Sequence, residues 1–350
     1  MATEMTPYDR RAWTEIEEWR RRRLESQARR LLPEGLRRRM SEAGQSARGR
    51  FESIPGAAEF EAIFVKALGG LLDVGSRAAM ATVGQEAIVE AYRKRGHQVA
   101  DIDDIGKLEL CEMDKVRPNL GLAYTAAATV EGAAAGFAVS GGEIVAAGGS
   151  VFGAGVGGAP GIGTVVGVMA ADAAVVLVAA NRAVAHIAAY YGYDVDHPDE
   201  RLFALGVLSV GTATEAGKAT AYIELNKLVQ ALARRATWDQ LRQNAVTRVV
   251  EKVFTRLGYR ITQRKLGQAV PVFGTLIGAG MNAHLLSSVT HDANHIYRER
   301  FLRDHYGLAH EPLATPPMNE TDVVDVAELL HEEIAKEDGR PTDRGDGERS

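Results

Sequence analysis

The chain has a single cysteine, Cys111, in 350 residues, so an internal disulfide and a thiolate metal cluster are both excluded. Cys111 also has no histidine at an informative spacing, which removes a thiol nucleophile. Aromatics are only 6% of the residues, while alanine and glycine abound, and that balance favours thin, closely packed helices over sheets. No stretch longer than a few residues alternates apolar and polar side chains as a half-buried strand does. The glycine-rich region is not followed by Gly-Lys-Ser/Thr and has no strand before it, so it is not a phosphate loop. The N-terminus lacks a signal-peptide pattern, which makes the cytoplasm the expected compartment. The length suffices for one large domain or two small ones with ample core.

Formal charge is missing where it matters most. From Ile144 to Asn181, 37 of 38 residues are uncharged, the exception being Asp172. Within this stretch Gly149, Gly153, Gly157 and Gly161 are spaced by four, and Pro160-Gly161-Ile162-Gly163-Thr164-Val165-Val166-Gly167 leads into an Ala/Val-rich helical pattern reaching Tyr191. The same punctuation returns 111 residues later as Pro271-Val272-Phe273-Gly274-Thr275-Leu276-Ile277-Gly278. Two related apolar helical hairpin units are expected, packed through Gly149, Gly153, Gly157, Gly163, Gly167, Gly274 and Gly278. Bare stripes of this kind let backbones approach closely, in membranes above all.

A transfer estimate weighs against a span. Eight strong apolar residues between Ile162 and Ala180 contribute about −2.4 to −4.8 kcal/mol, against about +2.5 to +3.5 for a central Asp172. The second unit carries Gln268, Asn282, His284, Ser287 and Ser288. Both units read as buried core, with lipid contact as the alternative.

The charge that is present is uneven. Residues 1–50 hold 13 arginines against 8 acidic residues, and residues 311–350 hold 12 acidic against 4 basic. A basic helix is expected over 8–32, with Trp13, Ile16 and Trp19 on one side and Arg20, Arg21, Arg22 and Arg23 around the other. Such a helix either docks on the protein's own core or lies in an anionic lipid interface. Glu15, Glu17, Glu18 and Glu25 dilute the cationic face, so nucleic acid is not an expected partner.

Further helices are expected over 57–74, 84–95 (stopped by Gly96) and 101–115 (stopped by Arg117-Pro118). Others start at the Asn119 cap, at Asp196/Pro198, at residue 219, at the Thr237/Gln240 capping box, and at Pro271 with a run to His305. One amphipathic helix is expected around Val323–Ile334. The fold class is therefore all-α: a basic arm over 1–50, one large helical domain over 51–307, and an acidic, largely disordered tail over 308–350.

Three groups of motifs taken in order resemble the EcsC family. They are Tyr8-x4-Trp13-x2-Ile16-x2-Trp19; the Asp172–Arg182 helix running into Tyr190-Tyr191-Gly192-Tyr193, Pro198 and Glu200-Arg201-Leu202; and Pro271-Val272-Phe273-Gly274 through Asn282 to Tyr297-Arg298-Glu299-Arg300-Phe301-Leu302. The resemblance covers roughly residues 8–307. It implies a helical, membrane-associated protein, since the family takes its name from a protein encoded beside an ABC transporter linked to secretion at the bacterial membrane. A membrane transporter partner is implied in the same way, and no catalytic residue is.

The enzymatic candidate is His291-Asp292-Ala293-Asn294-His295, where two histidines at i and i+4 share a helix side as zinc ligands do, with His284 as a third. Aspartate stands where a metalloprotease has its glutamate base, and the sites read as exposed helix-end histidines. Asp172 and Arg182 interrupt the most apolar helix and need partners. The alternative is a polar point in an apolar cavity that orients a lipid head group, with His186, Tyr190, Tyr191 and Tyr193 at its mouth. The expected protein is thus non-enzymatic and needs no cofactor. It acts at the cytoplasmic face of a membrane, binds lipid or lipid-like ligands, and meets the membrane through Trp13, Trp19 and Arg20 to Arg23. The alternatives are a soluble protein–protein adaptor and, more remotely, a metal-dependent hydrolase using His291 and His295.

Overall fold

Helices are what this composition makes, and helices are what the described part of the chain contains. A computed structural model describes residues 4–29, 83–130, 162–215, 217–234, 243–268, 274–309 and 323–337. In order they form α1 (Pro7–Arg29), α2 (Gln85–Lys94), α3 (Ile102–Ile105), α4 (Leu110–Val116), α5 (Leu120–Val130), α6 (Ile162–Tyr190), α7 (Pro198–Thr212), α8 (Lys218–Arg234), α9 (Gln243–Gln268), α10 (Gly274–Tyr306) and α11 (Val326–Glu337). No strand occurs among the described residues, and the fold is all-α. The helix expected over 57–74, the Thr237/Gln240 box, Pro271 and Gly149, Gly153 and Gly157 lie outside the described residues.

Local chemistry sets most boundaries. Thr6 Oγ1 accepts the Asp9 amide at the head of α1, and Asn119 Oδ1 accepts the Leu122 amide at the head of α5. Pro198 opens α7 at a position where its missing N–H is not needed. At the end of α6 the Tyr193 amide bonds back to the Ala188 carbonyl and the Gly192 amide to Ala189, with Gly192 at φ +80. This is the Schellman stop that a glycine after an apolar helix signals.

The expected single helix over 101–115 is instead two. Asp101 caps α3, the chain turns after Ile105, and α4 starts anew beyond Glu109. The cause is tertiary: Gly106 is pressed against Gly192, where an added Cβ would sit 2.3 Å from the Gly106 nitrogen.

Contacts along α10 give the directions of its neighbours. Asp9 meets Tyr306 and Arg23 meets Asp292, so α1 runs antiparallel to α10. Glu200 meets Tyr297 and Arg300 while Gly211 sits against Val289, so α7 is antiparallel as well. Arg117 lies over Tyr191, Tyr191 bonds Asn294, Gly121 touches Thr290 and Tyr124 meets His186. Hence α5 runs antiparallel to α6 and α10, and α6 and α10 lie side by side in parallel. Gly163 and Gly167 fall in the first turns of α6, and Gly274 and Gly278 in those of α10.

These directions polarise the molecule. One end combines α5, the start of α6 and α10 up to Val289, segments whose only formal charge is Asp172. Leu122 on α5 is 68% exposed at that end. The other end holds the charged second half of α10. Ala173–Tyr190 is apolar and long enough to cross a membrane, yet 78% of that window is buried inside the protein.

The boundary expected at 307 leaves out a helix that packs on the body. Val324, Val326, Leu329 and Leu330 are buried, with α11 against α8 and α9.

Gly192 and Gly96 separate two costs of the same backbone state, because both have positive φ but nothing lies near a Cβ at Gly96. Gly96→Ala should lose about 1 kcal/mol for the left-handed backbone alone. Gly192→Ala should lose roughly 2–5 kcal/mol, since the Gly106 backbone must also move. Urea unfolding of both variants checks this; equal losses would contradict the close approach.

Candidate functional site: the charged half of the last long helix

Residues 288–306 of α10 show no simple apolar stripe, because the helix is covered on most sides, with His291, Asp304 and His305 exposed. Val289, Ala293, Ile296, Tyr297, Phe301 and Leu302 are buried, and so are Asp292, Glu299 and Arg303. A helix polar all round is ordinarily a solvated one. This one is largely enclosed, and its charges meet partners from α1, α4, α7 and α8 as well as from α10 itself.

The deepest group is Asp292, with no exposed surface. Its Oδ2 accepts from Lys218 Nζ at 2.6 Å and its Oδ1 from Arg23 Nη2 at 2.8 Å. Lys218 is 2% exposed and also donates to the Val210 and Gly211 carbonyls and to Ser288 Oγ. It thereby caps the end of α7, where helix carbonyls lack amide partners. Burial pulls the Lys218 ammonium below its usual range, and Asp292 opposes that shift.

One turn pair further along, Glu299 holds Arg303 (3.0 and 2.8 Å), Arg20 (3.2 Å) and the Tyr222 hydroxyl. Arg303 also stacks over Trp13. On another side, Arg300 binds Glu200 at 2.7 Å and lies over the Tyr193 and Phe203 rings, and Tyr297 donates to Glu200. Burial raises the Glu200 carboxyl against the pull of Arg300. On a third side, Arg298 reaches Asp114 (2.8 Å) and Glu15 (3.0 Å), while Tyr8 donates to Asp114.

The residues singled out by sequence separate in space. Tyr190 stacks on His186, whose Nδ1 is 3.3 Å from the Tyr124 hydroxyl. Tyr191 is buried and donates to Asn294 Oδ1, and Tyr193 donates to Asp304 beside Arg300. They therefore face three surroundings and do not share one mouth. Arg182 lies near His186, where it adds to the burial that holds His186 at about 4. The side chain of Asp172 lies outside the described residues. In α1, Arg21 and Arg22 are exposed, Arg20 and Arg23 turn into ion pairs, and Trp19 is 4% exposed and stacked on His295.

His284 and His291 are exposed, and His295 Nδ1 donates to the His291 carbonyl. Asp292, which the hydrolase reading needs as a base, is held between two cations. Among the described residues no group of three or more His, Cys, Asp or Glu side chains is placed to hold a metal. A groove of about 530 Å³ between α8 and α11 is lined by Lys227, Gln230, Ala231, Asp325, Ala327, Glu328 and His331. Sequence reasoning missed Lys218, Glu200 and Glu299 as structural charges. A usable signal existed in Tyr297-Arg298-Glu299-Arg300, four large polar residues in succession on one apolar-flanked helix.

The ion pairs differ in what their loss leaves behind. Lys218→Met removes the body's own cation from a buried carboxylate and should cost about 3–5 kcal/mol. Arg23→Gln leaves Lys218 in place and should cost about 1 kcal/mol. Chemical denaturation distinguishes the two, and equal losses would refute this ordering.

Burial also holds His186 and His295 at about 4, below the unfolded value of about 6.5. Between these values the unfolded chain binds more protons than the folded one. Stability should therefore be whole above about pH 6.5 and decline as pH falls toward 4, by on the order of 1–3 kcal/mol per ring, discounted for partial exposure. Thermal melts from neutral to mildly acid pH, with His186→Asn flattening the slope, provide the check.

Residues 146–302 match the EcsC protein family. An uncharacterized protein, YdbA of Bacillus subtilis (strain 168), is 29% identical over 243 residues, covering 67% of this chain and 77% of that protein. No solved structure matches the chain. The family match takes in α6 to α9 and α10 through Leu302, the helices that build the apolar heart and the charged half. Through this region the chain belongs to the EcsC protein family.

Proposed function

We propose that this protein is non-enzymatic and works at the cytoplasmic face of a membrane, turning the charge-poor helices α5, α6 and the first half of α10 toward an anionic lipid surface. There it binds lipid or lipid-like apolar ligands and acts as an accessory to a membrane transporter. One observation carries the reading: the charges of α10 are confined to its second half, while the segments α5, the start of α6 and the first half of α10 carry no formal charge but Asp172. Leu122, 68% exposed on charge-free α5, would meet the lipid in this arrangement. Arg21 and Arg22 stand exposed at the level of Asp292 and Glu299, just on the charged side of the divide. Cations bordering an apolar end are the arrangement an anionic interface attracts. The burial of most of Ala173–Tyr190 favours peripheral contact over a span.

The test is sedimentation with vesicles of phosphatidylglycerol and of phosphatidylcholine across a salt series. The protein should pellet with the anionic vesicles at low salt and release as salt rises. Leu122→Glu should weaken binding about tenfold, the equivalent of one lost apolar contact. Absence of binding at low salt would leave the soluble adaptor reading in its place.

A further inference from the structure

Helix α1 is held to the body by charges that the body does not need. Arg20 binds Glu299, but Glu299 keeps Arg303 and the Tyr222 hydroxyl. Arg23 binds Asp292, but Asp292 keeps Lys218. Glu15 and Tyr8 bind Arg298 and Asp114, which remain paired with each other at 2.8 Å. Trp13 covers Arg303, which keeps Glu299. Stranding a buried charge is what ordinarily makes the loss of an ion pair prohibitive; here departure of α1 strands none of these five groups. The helix's own charges pass into water, and among its described residues only Ala12, Ile16 and Trp19 are buried apolar side chains. The hydrogen bonds that have no replacement within the body are those of Tyr306, to Asp9 and to the Thr6 amide, near the start of the helix, and that of Arg23 to the exposed Glu215, which water can take over.

We propose that α1 is a stowed lipid-binding helix: it undocks from α10 as a unit and lays Trp13, Ile16 and Trp19 into an anionic lipid surface while Arg20 to Arg23 meet the head groups. The inference rests on the peripheral membrane reading above and adds to it the element that changes position. Docked, α1 shows solvent Arg10, Arg11, Arg21 and Arg22 together with Glu15, Glu17 and Glu18, a mixed face with little pull on an anionic surface. Released, it presents Trp13, Ile16 and Trp19 together with Arg20 and Arg23, which share their face and reach up to the head groups on long side chains. Two binding states follow from one helix without any rearrangement of the charged half of α10.

Two measurements on the full chain test this. In hydrogen exchange of the free protein, amides of residues 7–23 should exchange at least about tenfold faster than those of 289–302, which marks a sub-global opening. Equal protection in the two helices would overturn the proposal. In the second, a chain carrying Trp13→Phe and Trp238→Phe reports on Trp19 alone, with vesicles of phosphatidylglycerol bearing brominated acyl chains. Binding with strong quenching of Trp19 is the expected result. Binding without quenching overturns α1 release while the peripheral reading stands, and no binding at low salt sinks both. Exchange in the unsubstituted chain with the same vesicles guards against a misfolded variant: unchanged protection of residues 7–23 in sedimented protein again refutes the release.

Discussion

A carboxylate with no exposed surface, on a largely covered helix, sets the terms for the rest of this protein. Asp292 can be buried only if cations follow it inside. One comes from the start of α8, as Lys218, and one from α1, as Arg23. Lys218 in turn holds the last carbonyls of α7. A single ionic contact thus joins α1, α7, α8 and α10, and the same logic repeats at Glu299, at Glu200 with Arg300, and at Asp114 with Arg298. Together these pairs tie α10 to α1, α4, α7 and α8, so the helix's orientation about its own axis is specified by charge as well as by shape.

This arrangement explains why α10 has charges in one half and none in the other. Where other helices bring complementary groups, ion pairs replace water; where the neighbours are α5 and α6, which bring small apolar side chains, charge would be stranded. Segregation along the helix axis is therefore a packing consequence. Gly211 against the Val289 backbone and Gly192 against Gly106 show where close approach is in fact used among the described residues. The first closes α7 onto α10, and the second turns the chain between α3 and α4.

A ring of paired charges also argues against chemistry at this centre. A general base needs a free lone pair and a nearby pathway for its proton, whereas Asp292 and Glu299 spend both oxygens on cations or a hydroxyl. The histidines at 291 and 295 share a helix side as their spacing requires, yet one faces solvent and the other packs under Trp19. Spacing delivered proximity but not convergence of lone pairs.

What the sequence alone determined is the part governed by local physics. Absence of alternation and abundance of alanine dictated helices; Asn119, Pro198 and Gly192 marked their ends through capping and backbone freedom; and the apolar run entering α6 announced the burial of that helix from Ala173 onward. Family resemblance was legible for the same reason, since it rides on residue order. Tertiary structure decided what residue order does not encode. It broke 101–115 at Gly106 because another turn needed that space, brought Val324 to Leu330 back onto the body, and set Tyr191 and Tyr193 apart from the stacked pair His186 and Tyr190. Above all it chose partners for Asp292, Glu299 and Glu200 from 74 to 279 residues away. Desolvation demands that a buried charge find an opposite one, but which one it finds depends on how whole helices pack.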